Sequence, residues 1–162
     1  MAEGDVSLLV TRLTSYGSCP YRRCSMSFAS LLRADRRENG RVEHDEWHAV
    51  DAARIEEVIS RMDQRRHTET ALEGRDWWLA LIGGGSGAYI VSIENRMTGV
   101  RFELVDPRQS QDQVVEVVAG GQRGHLSARD VVGREAAVRA ARHFAETGEP
   151  DPGLDWVEER GA

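Results

Sequence analysis

The chain has 162 residues, 40% of them hydrophobic and 30% charged, so it can bury a core of its own and lacks the composition of a disordered segment. The net charge is −6, and an acidic body argues against direct nucleic-acid binding, which normally uses a basic face. No apolar run approaches the roughly 20 residues that span a bilayer, and the start MAEGDVSLLV lacks a basic leader, so a cytoplasmic protein without a membrane partner is expected.

Residues 1–27 show no clear period and are expected to form an irregular N-terminal extension to a single α+β domain over 28–162. Residues 1–42 carry seven arginines against four acids, so the remainder sums to −9. Cys19 and Cys24 have a spacing that fits neither a common zinc knuckle nor a redox pair, and they read as free thiols. Residues 28–34 predict a first strand. Asn39-Gly40 signals a hairpin turn, with a second strand over 42–47.

Asp51 is placed to cap a helix over 52–64, where Ile55, Val58, Ile59 and Met62 form one apolar stripe. The following QRRHTETALEGR reads as a polar connection. Strands are then expected over 76–82, 88–94, 100–106 and 114–120, joined by short turns into an antiparallel meander. In 100–106, Val100, Phe102 and Leu104 share one face. Trp77 and Trp78 are adjacent on a strand and must face opposite sides. Ser127 is expected to begin the last helix, whose stripe is Ala137, Ala140, Ala141 and Phe144. Gly148 and Pro150 stop that helix, and 154–159 forms a short strand. The fold class expected is therefore α+β: a mostly antiparallel meander, two amphipathic helices packed on it, and a short C-terminal strand.

Motifs for chemistry are weak. His44 and His48 are four apart, but on a strand that spacing is about 13 Å, and no third ligand accompanies them. GGGSG at 83–87 lacks the following helix that a phosphate loop needs, and the chain has no lysine to serve one; a flexible hairpin loop is expected. No nucleophile elbow or catalytic set stands out. Neither a metal nor a cofactor is expected.

The segment HLSARDVVGREAAVRAARHFAETGEPDPGLDWVEE, 125–159, resembles the ending of immunity protein family one of bacterial polymorphic toxin systems. The shared features are a polar helix start at Ser127, an alanine-rich helix over 136–144 ending in phenylalanine, the Thr147-Gly148 stop, the turn with Pro150 and Pro152, and Trp156. The chain departs from the family in its long N-terminal segment and in GEPDPGLDW, where members often have a basic residue and one proline. The resemblance implies a non-enzymatic antitoxin whose partner is a cognate toxin domain, often nucleic-acid-modifying and with deaminases prominent. Acids on or near predicted strand edges, with one tryptophan, supply the toxin-binding candidates: Trp78, Glu94, Glu103, Asp106, Asp155 and Glu158. Trp156 is assigned to packing on the last helix, and the acids around it, Asp151 included, to solvent or a partner. The competing expectation is a small enzyme or ligand-binding protein with a pocket between sheet and helices.

Overall fold

The computed structural model describes residues 27–160, so the expected N-terminal extension up to residue 26, with both cysteines, lies outside the described residues. Among the described residues nine strands form: β1 Leu31–Glu38, β2 Arg41–Trp47, β3 Glu69–Glu73, β4 Trp77–Gly83, β5 Tyr89–Asn95, β6 Val100–Leu104, β7 Val114–Ala119, β8 Gln122–Ser127 and β9 Trp156–Arg160. The helices are α1 Ala52–Arg61 and α2 Arg134–Thr147. Seven strands make one antiparallel sheet in the order β2-β1-β3-β4-β5-β6-β9, and β7-β8 is a separate hairpin. The expected α+β class is the observed one.

Period-two alternation decides which side of the sheet is buried. Directly opposed residues in an antiparallel ladder share a face. Leu32, Leu72, Leu79 and Ile93 are paired in one row across β1, β3, β4 and β5, and all four are fully buried. A second row, Ala34, Thr70, Leu81 and Val91, lies beside it. On these rows pack Ile55, Val58 and Ile59 of α1 and Ala137, Ala140, Ala141 and Phe144 of α2. Small alanines let α2 approach closely, and each buried Leu or Ile contributes about 1.5–3 kcal/mol. Trp77 faces this core, stacked on Phe102 at 6.1 Å.

The caps expected from the sequence form. The Asp51 carboxylate accepts the Arg54 N–H at 2.7 Å. Gly148 adopts φ 76° and donates its N–H to Phe144 O at 2.8 Å. Asn39 and Gly40, with φ 51° and 76°, make the hairpin turn between β1 and β2.

Four expectations need correction. The helix over 52–64 stops at Arg61. Asp63 Oδ1 accepts the N–H groups of Arg65, Arg66 and His67 at 2.8–3.0 Å, an alternative to helix for the backbone. Burial pushes the Asp63 carboxyl up, but the His67, Arg65 and Arg66 N–H groups and the nearby His67 outweigh it and hold the carboxyl below its ordinary range. Second, the polar connection contains β3, a central strand: Thr70 and Leu72 point inward while Glu69, Ala71 and Glu73 point outward. Third, β7 is not part of the meander but pairs with β8 through Gly120-Gly121, both at positive φ. Fourth, Ser127 caps only a three-residue 3-10 turn. Val132 then bridges to Tyr89, by N–H···O bonds of 2.8 and 2.9 Å, before α2 starts at Arg134.

Both ends of the described chain are anchored. The Ser27 hydroxyl donates to Ala145 O at 2.7 Å, and the Phe28 ring meets Phe144 edge-on at 5.7 Å. Phe28 lies against Gly74 and Gly148, where a Cβ on either glycine would overlap the ring. At the other end, Asp151 is buried rather than solvated. It takes both Arg139 Nε and Nη2, at 2.7 and 3.1 Å, and caps Gly153 N–H at 2.8 Å. The Arg139 bond, with the Gly153 N–H, holds its carboxyl below the usual range. Its backbone carbonyl accepts Trp156 Nε1–H at 3.0 Å, and the indole packs on the core.

Candidate interaction surface

The strands that bury one face present another to the outside. Across all seven strands runs the row Glu46, Arg33, Ala71, Ala80, Ser92, Glu103, Val157. Its middle is small: Ala71, Ala80 and Ser92 floor a trough on β3, β4 and β5. One wall is the next row, Glu73, Trp78, Glu94, Arg101 and Glu159. The other wall includes Glu69, Ile82 and Ile90. Beyond that wall leans the β7-β8 hairpin. Val117 lies by Gly83, and the Gly120-Gly121 turn lies by the side chains of Glu69 and Arg37. The part of the trough between Trp78 and His44 encloses about 330 Å³.

Charge on this face is organised by pairing. Arg33 bridges Glu46 at 2.9 Å and Glu73 at 3.3 Å. Arg96, from the β5-β6 turn, reaches Glu73 at 3.1 Å and lies over the Trp78 ring at 5.4 Å. Arg101 turns to Glu103 at 2.7 Å. Arg37 pairs with the buried Asp35 at 3.0 Å. The Asp35 carboxylate also accepts the Thr68 N–H and hydroxyl, each at 2.7 Å, and the Glu69 N–H at 2.9 Å, which pins β1 to the start of β3. Seven carboxylates (Asp35, Glu46, Glu69, Glu73, Glu94, Glu103, Glu159) thus face four guanidiniums, for a net of −3. All four arginines are engaged. Glu69, Glu94 and Glu159 have no ion pair among the described residues.

The six sequence candidates separate into three groups. Trp78, Glu94 and Glu103 share the open face, Trp78 and Glu94 as direct cross-strand neighbours. Asp106 and Asp155 meet at one end of β6, around a cavity of about 250 Å³ that also involves Pro107, Val132 and Leu154. There the Arg108 hydrogen bonds, 2.9 and 3.1 Å long, hold the Asp106 carboxyl below its usual range. Glu158 lies opposite Phe102, on the helix side of the edge strand.

Sequence reasoning missed Arg33, Ala71, Glu73, Ala80 and Arg96. Without β3 in the sheet there is no trough. The available signal was the alternation in ETALE, and it was masked by the charged residues around it.

The two histidines of HDEWH do not build a site: His44 is on β2, cross-strand from Asp35, and His48 follows the strand. Among the described residues no group of three or more His, Cys, Asp or Glu is placed to hold a metal ion, and no helix is long and apolar enough to cross a membrane. GGGSG is a tight hairpin loop. Gly84 and Gly85 press on Met62 and Asp63 so closely that a Cβ on either would lie 2.5–2.7 Å from them.

Compared with protein-family models, residues 43–158 match the one described as Immunity protein Imm1. No curated protein matches the chain.

Proposed function

The chain belongs to the Imm1 family of immunity proteins, and on that premise we propose that it is a non-enzymatic antitoxin. It binds and neutralises the cognate toxin domain of a bacterial polymorphic toxin system, acting in the cytoplasm. The toxin is a nucleic-acid-targeting enzyme such as a deaminase, and the immunity protein occludes its active-site cleft. A cleft that admits a polyanion is basic, which suits a rigid acidic face as its plug. Complementary charge speeds capture, and a buried aromatic anchor slows release.

The observation that carries the choice of surface is the open sheet face, whose arginines are all paired and whose net charge is −3. The principal contacts are Trp78, Glu94 and Glu103. Asp106 and Asp155, at the end of β6, and Glu158, on the helix side of β9, lie off this face and would be reached only by a partner that wraps round the β6-β9 edge. The competing pocket between sheet and helices has less support, because Leu32, Leu72, Leu79, Ile93, Ile59 and Phe144 fill that space.

The test is to purify the chain with the toxin domain encoded beside it. A stoichiometric complex that silences the toxin and weakens as salt rises is expected. A toxin that stays active and unbound at equimolar concentration would rule the proposal out.

A further inference from the structure

The open face is not uniformly acidic, and its chemistry narrows the partner. Around Trp78 three charged groups are arranged unequally. Arg96 covers part of the ring at 5.4 Å and is held by Glu73 at 3.1 Å. Glu73 is further saturated by Arg33 at 3.3 Å. Glu94 flanks the same tryptophan from β5 but makes no ion pair or hydrogen bond through its carboxylate among the described residues. The residue opposite it, Arg101, is the natural local partner, yet its guanidinium turns to Glu103 at 2.7 Å. The part of the trough of about 330 Å³ lies on the β3 side of Trp78, floored by Ala71 and Ala80, and has room for the stem of a long side chain; Glu94 stands across Trp78 from it, on β5.

We propose that this corner is a receptor for one lysine or arginine side chain of the bound toxin. The aliphatic stem lies on Ala71, Ala80 and the indole of Trp78, and the cationic head meets the Glu94 carboxylate. The inference rests on the toxin-binding reading above and adds to it the chemistry of the central contact. Charge complementarity selects the occupant. A neutral apolar side chain would bury the Glu94 carboxylate without a partner, and an acidic one would be repelled by it. A cation answers the carboxylate and also gains from the aromatic face.

The experiment turns on two variants of equal net charge, Glu94→Gln and Glu149→Gln. Wild type, Glu94→Gln, Glu149→Gln and Trp78→Ala are titrated against the toxin domain encoded beside this chain, at two salt concentrations, and each variant's thermal unfolding is recorded. Glu149 is exposed, at the far end of α2, and serves as the control for a lost charge elsewhere. Glu94→Gln is expected to weaken binding about tenfold or more and to reduce the salt dependence, whereas Glu149→Gln changes affinity less than about twofold. Glu94→Arg should abolish binding, and a Lys→Glu or Arg→Glu change at the matching toxin position should restore part of it.

Equal losses in Glu94→Gln and Glu149→Gln, or no loss in either, would overturn the receptor while leaving toxin binding intact. A toxin domain that fails to bind the wild-type chain overturns both. If Trp78→Ala unfolds, Glu94→Gln still decides, since it preserves shape.

Discussion

The two faces of the seven-stranded sheet come from the same strands and obey different rules. On the helix side, neighbouring strands contribute leucines, isoleucines and valines that are fully buried, and each substitution is felt as lost packing. On the open side, the corresponding row is Ala71, Ala80 and Ser92, between one wall of Glu73, Trp78 and Glu94 and another of Glu69, Ile82 and Ile90. The contrast shows which face holds the fold; the proposed binding surface lies on the other. Substitutions that break the first face should leave nothing to bind. On the proposed reading, substitutions at solvent-facing positions of the second, unlike the buried Asp35, should change binding alone.

The largest effect that would sharpen this contrast is Phe144→Ala. The side chain is fully buried at the centre of the helix-sheet interface, so denaturant unfolding should show a loss of about 3–5 kcal/mol. A loss below about 1 kcal/mol would mean that the helix side is not the core. Next is Gly74→Ala, whose new methyl overlaps the Phe28 ring; overpacking should cost about 1–3 kcal/mol in the same measurement. A second change, Phe28→Ala, should relieve part of the clash, so the pair is non-additive.

Smaller still is Asp151→Asn, which keeps an acceptor for Gly153 but weakens the Arg139 pair, for about 1 kcal/mol near neutral pH. The same residue gives a pH signature. Asp151 and Asp63 titrate below the usual carboxylate range when folded. Their contribution is therefore complete above the unfolded value of about 4 and is lost as pH falls through the folded values. Stability measured from pH 6 to pH 2 should drop on the acid side, and Asp151→Asn should flatten part of that drop. The smallest effect is Glu94→Gln on the isolated protein, within about 0.5 kcal/mol of wild type. A large destabilisation there would collapse the distinction between the faces.

The helix side was legible in the sequence because burial imposes a period. Ile55, Val58 and Ile59 recur at helical spacing, Ala137, Ala140, Ala141 and Phe144 do the same, and all seven are buried. The turns at Asn39-Gly40 and Gly148 were legible because few residues accept a left-handed backbone. The open face was less so. β3 is five residues long with three outward positions, two of them glutamates, and it sits in a charged stretch that looks like a loop. β8 contributes Gln122, Arg123, Gly124 and His125 and has almost no apolar side. Trp78, Glu94 and Glu103 are legible as an aromatic and two acids on strands. Which row they share depends on register, and register needs the missing strand. The burial of Asp151 is not legible because its arginine, twelve residues earlier, is brought near only by the turn after α2.

The position of β9 has a consequence for how the chain assembles. The pairs from β3 to β6 join strands that follow one another closely, whereas β9 pairs with β6 as Leu104 with Trp156, closing a loop of about 50 residues. Among the strand pairings of the sheet that is the longest loop, and it closes after α2 has been synthesised and folded back. Until then, Phe102 and Leu104 stand on an open edge strand, the kind of edge that invites pairing with another chain. Native-state hydrogen exchange should accordingly find β9 the earlier to open, and the paired centre, β4 and β5, the last.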